Sequence, residues 1–484
     1  MFATRVNRYA RYVVFAAVAG SLLAGCKGHG SSSTTIPQSL TNWTWKAGTN
    51  AANGLGYYVS EGTATTTGLP SGRYGAMSWK DSSGQFWVFS GVGGVSDMWR
   101  FNTTTLQWAW MAGNASTATN TTAVYGTIGV AASTNLPGQR DSGATWTDAS
   151  GNLWMFGGYG TDSNGLIGYL NDVWMFNPVS NLWTWEGAAG SDQAGSLSAP
   201  VVWGTQGTAS TSNQPAPRSN SAFWKDASGN FWMFGGEGYL NNTTGVQNDL
   251  WEFNPTTLAW TWVGGSQLQA VKGVYGTIGV ASAANLPGAR QSATTWVDST
   301  GTFWMYGGTG VDAAGTVGQL GDLWKFSTAT HQWTWVSGSS TVNNLGVYGT
   351  NAVAATTNLP GARSGAAGWI DSSNNLWLFG GYGINGIPTG VNLSTTTGTL
   401  VILNDLWEYQ ASTKQWVWYN GSYNGSAAGY YGTLGLLSAG NMPGSRYAAS
   451  VWNDSSGNFW LFGGEGYDAA GTNGRLGDVW NFVP

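Results

Sequence analysis

Six arginines recur at long, uneven intervals: Arg73, Arg140, Arg218, Arg290, Arg363 and Arg446. A guanidinium is well shaped to take a carboxylate, sulfate or phosphate through paired hydrogen bonds, so six of them around one opening would make a ligand-binding collar for an anion. The other reading keeps them inside, donating to nearby carbonyls or paired with an aspartate series of the same period: Asp97, Asp172, Asp249, Asp322, Asp405 and Asp478. A Gly pair follows the arginines, and the next residue is Glu237 or Glu465 in the third and sixth copies and Tyr159 or Tyr382 in the second and fifth. These glutamates are the candidates for proton transfer, and the tyrosines for contact with a ligand. His29 and His331 are the only histidines and Cys26 the only cysteine, so neither a Cys–His set nor an internal disulfide is available. Asp-x-x-Gly segments at Asp162, Asp312 and Asp468 offer oxygen atoms to calcium, but without the denser spacing of a dedicated loop. No metal and no cofactor is expected.

These residues ride on a repeat. From Arg140 it runs through Trp146, Asp148, Gly151, Trp154, Gly157-Gly158, Asn171-Asp172, Trp174 and Phe176 to Trp183-Thr-Trp185, and the arginines lie 67, 78, 72, 73 and 83 residues apart. Each copy holds four short stretches rich in Val, Trp, Phe, Tyr and Met, broken by Gly, Asn and Asp, which predicts four strands. The first two join through Asp-x-x-Gly, with Asn374 replacing Gly in the fifth copy. The last copy ends at Phe482 without a Trp-x-Trp strand, and Trp43-Thr-Trp45 supplies one without preceding strands. The expectation is an all-β, six-bladed propeller of four-stranded antiparallel blades, closed by an N-terminal strand that completes the last blade. The blades span 73–110, 140–185, 218–262, 290–335, 363–418 and 446–484 with 42–45. Thirty of the 31 tryptophans belong to the repeat, leaving Trp203, so tryptophan content is core and gives no evidence for sugar binding.

The Gly pairs, followed by an aromatic residue and a Trp with six residues between them (Phe176 to Trp183, Tyr409 to Trp416), resemble the kelch repeat over residues 41–484. The first copy departs with Ser90-Gly91. The resemblance implies a binding platform, an enzyme of the galactose oxidase type, or a periplasmic enzyme like the sialic acid mutarotases. The copper site of galactose oxidase, with two His and a Cys-linked Tyr, cannot be assembled from these residues. In the mutarotase-like alternative an Arg of the series would hold a substrate carboxylate and Glu237 or Glu465 would move the proton. Opposite blades place those glutamates about 20 Å apart at a sheet spacing of ~10 Å, against roughly 5 to 9.5 Å for a glycosidase pair, so no paired catalytic role is assigned.

Between the Gly pair and the residue that precedes the aspartate (Asn171 before Asp172, for example) the copies carry 4, 12, 11, 12, 22 and 12 residues, read as loops of one elaborated face with a low wall at the first blade and a tall one at the fifth. Arg5, Arg8 and Arg11 precede an apolar run, then Leu23-Ala24-Gly25-Cys26, which is similar to a bacterial lipobox. The expectation is a lipoprotein signal peptide over 1–25, lipidation at Cys26, a Ser/Thr-rich tether over 26–41 and the propeller over 42–484. Lys27 after the cysteine points to the outer membrane of the bacterial envelope, with attachment by lipid alone. The mature chain balances 15 basic against 23 acidic residues, which argues against a nucleic-acid partner. The function expected is a monomeric, non-enzymatic module that binds a protein or glycan.

Overall fold

The computed structural model describes residues 42–115, 121–187, 201–241, 243–388 and 398–484. The signal peptide, the tether, Cys26 and His29 therefore lie outside the described residues, as do 389–397 of the long fifth-copy segment. The described chain is all-β, without helices, in repeated antiparallel sheets of four or five strands, a propeller-like fold.

The second unit shows how the residues make the sheet. Its inner strand Ala144–Thr147 turns into Leu153–Thr161, which pairs with Ile167–Asn177, which pairs in turn with the outer strand Leu182–Gly187. The first turn is held by Asp148: Oδ1 accepts the N–H groups of Ser150 and Asn152, and Oδ2 accepts the Trp154 indole N–H at 2.9 Å. One carboxylate thus shapes the turn and fixes the large ring that follows.

The Gly pair does not end the second strand, as the sequence suggested. Leu153–Thr161 runs through Gly157 and Gly158 with a shift of register there, and Arg140–Asp141 pairs with the extension beyond. Both glycines have positive φ, 64° and 104°, and a Cβ on Gly157 would lie 2.8 Å from the carbonyl oxygen of Arg218 in the next unit. The pair is therefore a bulge that re-aims the strand where the neighbouring unit comes close. What sequence reading took for loops is largely a hairpin built on the same two strands.

Tryptophans and phenylalanines pack both within a unit, as Phe176 on Trp183, and between units, as Trp87 on Phe176. Six hydrophobic clusters form, each drawing on two consecutive units, the last joining the sixth to the first through Phe86, Trp99, Trp452 and Trp460. Inner-strand indoles tie the same neighbours: Trp79 donates to the Trp154 carbonyl at 2.8 Å and Trp369 to that of Trp460 at 3.1 Å. The strand Trp43–Ala47 pairs with Val479–Phe482, so the first strand completes the sheet of the last unit, with Trp45 opposite Trp480.

At the inner end, one backbone amide per unit hydrogen-bonds a carbonyl of its neighbour. Gly75 donates to Ala448, Ala448 to Gly365, Gly365 to Ser292, Ser292 to Asn220, Asn220 to Ser142 and Ser142 to Gly75, all at 2.7–2.9 Å. All six residues hold φ between 53° and 62°. The series returns to its starting residue. Hydrogen-bonded neighbours have Cα atoms about 5 Å apart, so opposite members of a regular six-membered ring stand about 10 Å apart. Opposite members of the cycle thus stand closer together than sheet spacing alone would place them.

Candidate functional site

The arginine series is not a ligand-binding collar. Arg73, Arg140, Arg218, Arg290, Arg363 and Arg446 are buried, their side chains at most 1% exposed, and each forms a two-pronged pair with Asp97, Asp172, Asp249, Asp322, Asp405 or Asp478 respectively. The N···O distances are 2.6–2.9 Å. Each Arg also donates to a carbonyl at the register shift, as Arg290 does to Gly307 at 2.9 Å. The reason is the packing of the extension: once Arg140 pairs beside Gly160, its guanidinium lies under the sheet and every donor finds an internal acceptor.

The aspartate completes a quartet. Asp172 accepts from the Tyr125 phenol at 2.6 Å and the Trp174 indole at 2.7 Å, and Tyr58, Tyr275, Tyr348 and Tyr431 repeat the phenol contact in other units. Burial raises the Asp172 carboxyl, but Arg140 and these donors more than offset it and hold it below its ordinary range. In the third unit Trp203 stacks on Trp251 at 5.3 Å instead, and no phenol among the described residues reaches Asp249. Tyr58 is the first-unit counterpart that spacing alone did not reveal, because the linker before Arg73 lacks the Tyr-Gly-Thr segment.

What differs between units gathers beside this cycle. The residues just before the six ring members are Tyr74, Asp141, Ser219, Gln291, Ser364 and Tyr447. Tyr447 lies 5.9 Å, centroid to centroid, from both Tyr74 and Tyr382. Tyr159 packs edge-on against Tyr169 at 5.1 Å. Tyr159, Glu237, Tyr382 and Glu465 occupy the extension opposite Asp141, Ser219, Ser364 and Tyr447, one strand further out, and all four are half-buried. That extra strand on each side returns the two glutamate backbones to about 20 Å apart. They form no shared pair.

Three residues absent from the sequence-based candidates lie close to these positions in the sheets. Asp141 is half-buried, accepts the Ser142 hydroxyl at 2.9 Å, and its carboxyl is pushed up to about 7 by burial. Arg475, outside the repeated series, stands opposite Glu465 across the hairpin, and its guanidinium leans toward Gly93, where the short first unit has no side chain. Burial raises the Glu465 carboxyl and Arg475 partly offsets this. Gln247 holds a position that is leucine in four other units; it is 1% exposed and neither end of its amide has a partner among the described residues. Asp141 could have been found by subtraction, since it is one of five aspartates outside the two repeated series.

Elsewhere the candidate chemistry is internal. Oδ1 of Asp162, Asp312 and Asp468 each accepts two backbone N–H groups of its own turn, and Oδ2 of Asp312 and of Asp468 accepts the N–H of Val342 and of Ala52. Among the described residues no three His, Cys, Asp or Glu side chains gather as a metal site would require, and no helix is long and apolar enough to cross a membrane.

No protein-family model matches the chain. No curated protein matches it in sequence. Among solved structures it is similar to one titled "Structure of YjhT", at 16% identity and a TM-score of 0.48, over 85% of this chain and 95% of that one.

Proposed function

We propose that the chain is a closed, six-bladed propeller of the kelch type that binds a glycan, without transforming it, at the channel mouth of its hairpin-rich face. One observation carries the reading: the repeated polar residues are buried in Arg–Asp pairs, whereas the residues that differ between units, Tyr74, Asp141, Tyr382, Tyr447, Glu465 and Arg475, collect at the mouth. Tyrosine rings with a few polar groups suit stacking and hydrogen bonding to a sugar. The cycle of six backbone hydrogen bonds and the pairing of Trp43–Ala47 with Val479–Phe482 support closure. In the envelope a lipid on Cys26 would hold the protein to the outer membrane, and the leader preceding that residue supports this placement.

Glycan-array screening of the full chain tests the site. A hit should weaken at least tenfold with Tyr447→Ala and with Tyr74→Ala, while the melting temperature stays close to that of the parent. Hits unaffected by both changes would move the site elsewhere. Catalytic turnover of a bound sugar that is lost with Glu465→Gln would replace the binding reading by an enzymatic one. Cys26→Ser should release the protein from the membrane fraction, and retention through a carbonate wash would refute lipid anchoring.

A further inference from the structure

A second place departs from the repeat, at the short-turn end of the fifth unit. In every unit the second-strand tryptophan faces a third-strand residue across the sheet: Trp87 faces Arg100, Trp304 faces Lys325 and Trp377 faces Glu408. In the first and fourth units this neighbour puts its cation over the ring, with Arg100 and Lys325 each 5.7 Å from the ring centroid. The fold thus already holds a positive group on this indole twice. In the fifth unit the cation is replaced by a carboxylate, and a cleft of about 370 Å³ opens, lined by Asp371, Trp377, Glu408, Tyr419, Asn42 and Phe482 among others. In the fourth unit Lys325 itself lines a smaller cavity of about 230 Å³ with Thr302, Ser327 and Thr334.

We propose that the cleft beside Trp377 and Glu408 binds a small organic ammonium ion, supplied from outside where other units carry their own cation. Its volume is at the lower end of small-molecule sites. Glu408, 4% exposed, accepts the Tyr419 phenol at 3.0 Å and the Gln410 amide at 3.1 Å, both on Oε2. Asp371 supplies a second carboxylate, engaged by the Trp377 indole at 3.1 Å. Burial raises the Glu408 carboxyl, a cost that a bound cation offsets. The third unit also has a glutamate in this position, Glu252, with the His331 ring 6.1 Å from Trp232; in the fifth unit the Tyr419 ring lies 4.9 Å from Trp377, so an incoming ammonium would meet that ring and Glu408 beside the indole.

Calorimetric titration of the full chain with glucosamine, and with the neutral N-acetylglucosamine of the same ring, tests the charge requirement. Nα-acetyllysinamide tests the same ammonium borne on a peptide. Glucosamine or the lysine derivative should bind, N-acetylglucosamine at least tenfold more weakly, and Glu408→Gln should lower ammonium affinity at least tenfold. Tyr447→Ala at the channel mouth should leave this binding unchanged, which separates the two sites. Equal affinity for charged and neutral sugars, no binding of either ammonium probe at tens of millimolar, or a Glu408→Gln protein that binds within twofold of the parent would each overturn the proposal.

Discussion

Two kinds of carboxylate with opposite pH behaviour meet in the second unit, in Asp172 and Asp141. Asp172 and Asp322 sit below their ordinary range: burial pushes them up, and the paired arginine and donors pull them further down. They therefore contribute stability at neutral pH that is lost as pH falls below the carboxylate's unfolded value. Asp322→Asn, which leaves the Arg290 charge without its counter-ion, should cost about 3–5 kcal/mol in urea unfolding; a loss under 1 kcal/mol would mean the pair is not closed in solution. Asp141 has the other sign, since its carboxyl rises from 3.8 to about 7. Its penalty is absent below about pH 4, grows through neutrality and is complete above about pH 7. Asp141→Asn should then melt with the parent near pH 4 and above it at pH 8, and identical melting at both values would show that this carboxyl ionises as freely as in water.

Strand Trp43–Ala47 depends on contacts it cannot make alone. Trp43 is fully buried against Trp369, Phe379, Trp480 and Phe482. Trp43→Ala should cost about 3–5 kcal/mol, typical of truncating a large core aromatic, and a variant melting within a degree of the parent would exclude the strand from the core. Much at this scale was legible in the sequence. Four aromatic stretches per repeat, the Asp turn and the displaced Trp-x-Trp strand all write their backbone needs into residue type and spacing. The Gly pair was misread because a strand end and a bulge both need positive φ; only the carbonyl of Arg218 close to Gly157 distinguishes them. The arginines were ambiguous for a related reason: burial is set by which neighbour covers a side chain, and spacing does not record that. Asp141, Arg475 and Glu408 were hidden because a residue matters there by differing from its counterparts, against a repeat that draws attention to what is the same.

Every hydrophobic cluster belongs to two units, so no unit owns a core it could keep when its neighbour unfolds. Heating should give one calorimetric transition, and Trp43→Ala should shift it whole; a parent that melts in two separated steps would contradict shared cores. The six-member hydrogen-bond cycle is a second device on this scale. Ala448 is held there at φ 53°, a conformation costly for any residue with a Cβ, so Ala448→Gly should melt at or above the parent. Ala448→Pro, which removes the donor and forbids positive φ, should melt well below it; equal melting of the two would show that the cycle is not formed. The cycle also governs what a guest at the mouth encounters. Its peptide dipoles run head to tail around a circle, so they circulate and cancel instead of summing along the axis as in a helix. The aperture therefore has no built-in polarity, and its amides and carbonyls are already engaged with one another. Its six backbone stations are alike, and only the residues just before them, Tyr74, Asp141, Ser219, Gln291, Ser364 and Tyr447, tell one from another.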